Sequence, residues 1–134
     1  MIKLDLSSLE KAVLSLRRAV ERSVKVPSDE EVRDAVIQRF EYTYELCWKM
    51  LKRQLEQEVP NPAEIDQLSY RDLLREAAEK GMLKAVEDWM DYRNQRNITT
   101  HAYDRKKAQA VYETATRFLE HAEKLLAELK RRNA

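Results

Sequence analysis

The chain has 134 residues, enough for one core and too few for separate cofactor and substrate domains, so a single domain spanning 1–134 is expected. Glycine occurs once and proline three times, while 37% of residues are charged and 43% apolar, which points to long solvent-facing helices and away from sheets joined by tight turns. The 25 basic side chains nearly balance the 24 acidic ones, so no overall positive field draws the chain to nucleic acid or to an anionic membrane, and any such binding must be local.

Lys3, Asp5, Glu10 and Lys11 interrupt any N-terminal apolar run long enough for a signal peptide or membrane span, and a cytoplasmic chain is expected. A first helix is predicted from Ser7 to Lys25, with Leu9, Val13, Leu16, Val20 and Val24 as its buried stripe, and Pro27 ends it. Ser28 and Glu31 have the form of a capping box and open a second helix that reaches Glu58, ahead of Pro60 and Pro62. Val32, Val36, Phe40, Cys47, Leu51 and Leu55 form its inner face. Cys47 is the only cysteine, which excludes an intrachain disulfide, favours a reducing compartment and suits a small buried hydrophobe.

Residues 60–68 show no period and read as a loop. Ser69 caps a short helix carrying Leu73, Leu74 and Ala77, which Gly81 closes in the left-handed conformation. A fourth helix begins near Met82. Asp104 is the N-cap of a last, long helix with Ala108, Val111, Ala115, Phe118, Ala122, Leu125, Leu126 and Leu129 turned inward. Glu128, Lys130, Arg131 and Arg132 read as a solvated ending whose cations suit the helix dipole. The predicted fold is all-α, an antiparallel up-and-down bundle of four main helices plus a short helix.

The fourth helix carries the functional signal. Met82, Val86, Trp89 and Met90 face a core, and the same broad face then presents Arg93, Arg96, Asn97, Thr100 and His101. In a continuous helix Arg93, Asn97 and His101 form one ridge, and Arg96, Thr100 and Asp104 the next. Arg96 and His101 lie about 140° apart around the axis, so they meet only if the last turn unwinds before Tyr103 or a second copy of the chain completes the site. Arg105, Lys106 and Lys107 add local positive potential.

Histidine exchanges a proton near neutral pH, and arginine offers a phosphate a planar fork of donors. Together they suit phosphodiester cleavage in RNA. His101 would take the ribose 2′-hydroxyl proton or protonate the leaving 5′-oxygen, Arg96 would hold the phosphate, and Asn97 would orient His101. This route needs the 2′-hydroxyl, so RNA is expected as substrate and DNA is not. The only histidines, His101 and His121, are 20 positions apart without clustered carboxylates, so no metal or other cofactor is expected. His121 reads as an exposed or boundary residue, and the pairs Asp88 with Asp91 and Glu41 with Glu45 as solvated faces. A purely structural alternative has Arg93 and Arg96 bridging to acidic groups on neighbouring helices, His101 capping a helix end and Tyr103 as a boundary aromatic.

The segment Arg96-Asn97-Ile98-Thr99-Thr100-His101-Ala102-Tyr103-Asp104 resembles the Arg-x4-His-x-Tyr signature of the HEPN superfamily, in the branch named nucleotidyltransferase substrate-binding proteins. Arg39-Phe40-Glu41-Tyr42-Thr43-Tyr44-Glu45-Leu46-Cys47-Trp48-Lys49 resembles that branch's aromatic-rich helix, and Trp89 also fits. The resemblance covers nearly the whole chain. It implies a helical bundle that forms a homodimer, with the motifs of both subunits lining one cleft. It further implies a metal-independent RNA endonuclease, the toxin of a toxin-antitoxin pair encoded beside a minimal nucleotidyltransferase that neutralises it by transferring AMP to the motif tyrosine. On these residues Arg96 and His101 become catalytic, Asn97 supporting, with Arg93 and Thr100 beside them, and Tyr103 the AMP acceptor. The chain itself lacks the Gly-Ser turn and paired aspartates of a transferase, since its one glycine is Gly81. An older reading of this branch has the bundle present a nucleotide or other substrate to the transferase without cutting anything.

Overall fold

The computed structural model describes residues 3–99 and 104–134. Among these there are six helices and no strand: α1 (Ser7–Lys25), α2 (Glu30–Glu58), α3 (Ala63–Asp66), α4 (Tyr70–Glu79), α5 (Val86–Ile98) and α6 (Arg105–Arg132). The all-α prediction holds, with one helix more than the sequence suggested.

The bounds of α1 agree with the sequence, but its stripe does not run to the end. Leu9, Val13 and Leu16 are buried, Val20 is partly so, and Val24 is 71% exposed. Val24 lies about 80° around the axis from Leu16, whereas Ser23 is within about 20° of it and takes the inward place. The Ser23 hydroxyl bonds the Val20 carbonyl at 2.6 Å and the Tyr112 hydroxyl at 2.7 Å, which satisfies it in the interior.

Helix α2 is capped by Asp29 and not by Ser28. The Asp29 carboxylate accepts from the backbone N–H groups of Glu31 at 2.9 Å and Val32 at 3.2 Å, a charge-assisted cap at the positive end of the helix. Val36, Phe40, Cys47, Leu51 and Leu55 are buried as expected, Val32 is only half-buried, and Tyr44 joins the interior. The expected loop at 60–68 contains the single turn α3, too short to show a period. Asn61 Oδ1 accepts from Ala63 N at 3.2 Å, Ile65 is buried, and Asp66 pairs with Lys52 of α2 at 2.7 Å.

Ser69 caps α4 by accepting from Asp72 N at 3.1 Å. At the other end Gly81 has φ +76, and Met82 N reaches back to Ala77 O at 2.9 Å while Gly81 N reaches Ala78 O at 3.0 Å. This pair of bonds is the Schellman closure that a left-handed residue permits. Helix α5 does not begin near Met82. Met82 and Leu83 are buried in the connection, and Ala85, itself left-handed at φ 59, sets the start at Val86. Asp104 caps α6 as expected, accepting from Lys106 N at 3.0 Å and Lys107 N at 3.3 Å.

Cross-helix contacts fix the directions. Along α1 and α6 the pairs run Leu4 with Asn133, Glu10 with Lys130, Arg17 with Glu123 and Ser23 with Tyr112, which is antiparallel. Glu30 pairs with Arg105 and Glu58 with Arg132, so α2 and α6 run parallel. Asp91 pairs with Arg117 while the Lys80 carbonyl accepts from Arg132, so the chain through α5 runs against α6. Direction therefore alternates along α1, α2, α5 and α6, and both α1 and α5 pack on α2 and α6.

Phe118 of α6 sits at the centre of an aromatic core. Its ring lies 5.2 Å from Phe40, 5.7 Å from Trp89 and 5.1 Å from Tyr92, each near edge-to-face, and 6.1 Å from Tyr44. Of the expected solvated ending, Lys130 and Arg131 are exposed, whereas Glu128 and Arg132 are partly buried. Arg132 donates to Glu128 at 2.8 Å, to Glu58 at 2.6 Å and to the Lys80 carbonyl, joining the ends of α6, α2 and α4. No helix among the described residues is long and apolar enough to cross a membrane.

Candidate functional site

Helix α5 has two jobs. Trp89 and Tyr92 are buried, and the Tyr92 hydroxyl bonds His121 Nδ1 at 2.7 Å, so these residues fasten α5 to α6. His121 is therefore a boundary residue with a structural bond. The last turns then carry Arg93, Arg96 and Asn97 to a cleft of about 350 Å³ between α2, α3, α4 and α5. Arg93 and Asn97 are exposed and Arg96 half-buried, so the polar stripe faces this cleft and not the core.

Arg96 is held by α2. Its Nε lies 2.9 Å from Glu45 Oε1 and its Nη2 lies 3.8 Å from Glu41 Oε1. The Nε atom is buried and its N–H is not aimed along a hydrogen bond, so the contact with Glu45 is a close charge pair. Glu45 is itself oriented by Trp48, whose Nε1 donates to Oε2 at 3.2 Å. The expectation that Glu41 and Glu45 form a solvated face is thus corrected: with Arg96 they make the ion pair of the structural alternative. Asp91 pairs with Arg117 of α6 at 2.9 Å, and both side chains are exposed, in keeping with the solvated face expected there.

Arg93 is differently placed. Its guanidinium lies over the Tyr70 ring, 4.5 Å from the centroid, and Tyr70 shares a short hydroxyl bond with Tyr44. Burial pushes the Tyr70 hydroxyl up to about 12 and raises Tyr44 further, so both remain neutral at any ordinary pH. Lys52 and Asp66 close the far side, their pairing raising the Lys52 ammonium.

The ridge read through Arg96, Thr100 and Asp104 fails at its last member. After Ile98 the chain tightens to a 3₁₀ turn at Thr99, whose hydroxyl bonds the Arg96 carbonyl at 2.7 Å, and Asp104 is extended as the cap of α6. Thr100, His101 and Tyr103 lie outside the described residues. Of the predicted site residues, Arg93, Arg96 and Asn97 are therefore brought together. Arg105, expected to add positive potential, is paired with Glu30 at 3.1 Å.

Residues 4–131 match the family model described as nucleotidyltransferase substrate-binding protein like. The chain belongs to this family. A probable ribonuclease of Haemophilus influenzae, HepT, is 40% identical over 139 residues, covering 98% of this chain and 95% of its own length. A solved structure from Haemophilus influenzae, said to reveal the fold of a substrate-binding domain of a nucleotidyltransferase, is 36% identical with a TM-score of 0.89. It covers 94% of this chain and 99% of its own. A structure from Thermus thermophilus matches at 28% identity and a TM-score of 0.75 over 92% of this chain and 99% of its own. These findings place the chain in the nucleotidyltransferase substrate-binding branch of the HEPN superfamily.

The cleft also holds residues to which the sequence assigned no role. Glu45, Trp48 and Tyr70 line it, yet only the first two lay in a segment singled out beforehand, and neither was given a role. The available signal was spacing: Glu41, Glu45 and Trp48 recur at three and four residues and share one face of α2.

Proposed function

We propose that this chain is a metal-independent endoribonuclease acting as a homodimer, with Arg96 and His101 as its catalytic residues. The observation that carries this reading is Arg96 in an aromatic-walled cleft, on a chain 40% identical to a probable ribonuclease. In the proposed reaction His101 of one subunit removes the 2′-hydroxyl proton, and the 2′-oxygen attacks the adjacent phosphorus. The bond to the 5′-oxygen breaks, the leaving oxygen takes a proton from the second His101, and a cyclic phosphate remains. Arg96 stabilises the charge that builds on the phosphate, with Arg93, Asn97 and Thr100 as supporting groups.

The chain would then be the toxin of a pair, in the cytoplasm, with a minimal nucleotidyltransferase encoded nearby as its partner. Transfer of AMP to Tyr103 would place a negative phosphate and a bulky base beside the cleft, repelling RNA. Purified protein incubated with single-stranded RNA in chelator tests the reading. Cleavage is expected, lost in Arg96→Ala and His101→Ala and absent on a 2′-deoxy substrate; cleavage that survives both substitutions refutes it. Tyr103→Phe should block labelling by the partner, and equal labelling of parent and variant refutes the acceptor assignment.

A second reading, a non-catalytic nucleotide- or substrate-binding subunit of a nucleotidyltransferase, draws on the pairing of Arg96 with Glu45 and on the description of the Haemophilus influenzae structure. Nucleotide binding with no cleavage under any condition would select it.

A further inference from the structure

The half of the cleft beyond Arg96 sets two aromatic rings beside a second guanidinium. Trp48 of α2 and Tyr70 of α4 meet edge to face, their ring centroids 6.4 Å apart, and Arg93 covers the Tyr70 ring. Trp48 is half-buried and fixed at its edge by the bond to Glu45. Arg93 is the cation of the cleft whose charge is not spent: Arg96 faces Glu45 and Lys52 faces Asp66, whereas among the described residues Arg93 has no carboxylate at ion-pairing distance. A guanidinium stacked on an aromatic ring keeps its in-plane N–H donors for an anion.

We propose that this half of the cleft binds one nucleotide unit, its base against Trp48 and its phosphate on Arg93. Three physical points favour it. Unpaired bases are held by stacking on aromatic rings and on guanidinium planes, which Trp48 and the Arg93–Tyr70 stack supply side by side. The volume of about 350 Å³ is that of a site for one small ligand. The Tyr44 and Tyr70 hydroxyls, bonded to each other and kept neutral by burial, do not repel a phosphate and leave one O–H to donate. Assigning the nucleotide to an RNA strand rests on the ribonuclease reading; the nucleotide site itself does not.

Intrinsic fluorescence offers a direct readout, because Trp89 is 2% exposed and Trp48 is the tryptophan that lines the cleft. Adenosine monophosphate titrated into the full chain is expected to change the emission, and Trp48→Phe to abolish that change. By calorimetry Trp48→Leu should weaken adenosine monophosphate roughly ten-fold or more, the scale of one lost base stack, and leave inorganic phosphate unaffected. Arg93→Gln should weaken both. The proposal is overturned if adenosine monophosphate binds no tighter than inorganic phosphate, or if Trp48→Leu with parental helical content binds it as the parent does.

A 2′-O-methyl trinucleotide, which cannot be cut, separates the sources of the nucleotide. Tighter binding than the mononucleotide, dependent on Trp48, supports a nucleotide within RNA; weaker binding overturns that assignment in favour of a free nucleotide. Trp48-dependent binding without any cleavage upholds the site and refutes the nuclease. Cleavage without Trp48-dependent binding does the reverse.

Discussion

Arg96 and Glu45 meet at 2.9 Å across the cleft, so the arginine best suited to hold a phosphate is already matched by a carboxylate. A phosphate entering here competes with Glu45 for the same guanidinium, and the carboxylate repels it as well. Glu45→Gln keeps the shape of the side chain and removes the charge. We expect it to tighten binding of an uncuttable 2′-deoxy oligonucleotide by roughly three- to ten-fold, the scale of one partly exposed charge interaction. Weaker binding in this variant would mean that Glu45 serves to position Arg96 and does not restrain it.

Arg96 lies in the last turn of α5, and Asp104 is already the extended cap of α6, so the helix that carries the arginine does not continue into the next one. The dimer proposal draws its two His101 groups from two subunits, and mixing an inactive variant with the parent tests this. The His101→Ala chain is expected to be inactive alone. Co-refolded with an excess of it, parent chains enter mixed dimers that keep only one of the two His101 groups the proposed reaction needs, and cleavage per parent chain should be lost. If cleavage per parent chain is unchanged while sedimentation shows that mixed dimers form, each site lies within one subunit.

Two left-handed residues flank the connection from α4 to α5, and they should respond to substitution in opposite directions. Gly81 has φ +76, and a Cβ built there meets only the Arg132 Nη2 atom at 3.7 Å, so Gly81→Ala costs backbone strain and no clash. Ala85 already carries that strain at φ 59. Gly81→Ala is expected to destabilise by about 1–2 kcal/mol, and Ala85→Gly to stabilise by up to about 1 kcal/mol after the entropy of the extra glycine is discounted. Urea unfolding of both variants checks the signs. A stabilised Gly81→Ala would show that the Schellman turn has relaxed.

The helices were legible because their stripes are long: every inward position named on α6, from Ala108 to Leu129, is buried. What periodicity could not supply was the choice between neighbours on a face. Ser23 replaces Val24 and Asp29 replaces Ser28, each a shift of one residue decided by a polar bond that no apolar pattern encodes. At the site, Arg93, Arg96 and Asn97 stood out because they break a stripe. Glu45 and Tyr70 did not, since an acid on a charged helix and an aromatic after a cap look ordinary until α2, α4 and α5 bring them together.

The C-terminal clip makes a prediction about acid. Glu128 accepts from Arg131 at 2.5 Å and from Arg132 at 2.8 Å, and these bonds, that of Arg131 foremost, hold its carboxyl down to about 2. A carboxyl with a depressed folded pKa binds fewer protons in the folded chain than in the unfolded one. Its contribution is therefore complete above the ordinary carboxylate range and is lost as pH falls from there through about 2. Arg132 also holds Glu58 and the Lys80 carbonyl, so protonating Glu128 loosens a junction of three helix ends. Glu128→Gln should lower the urea midpoint at neutral pH, and the gap from the parent should shrink steadily below about pH 4. A gap that stays constant across this range would assign the effect to packing of the side chain and not to its charge.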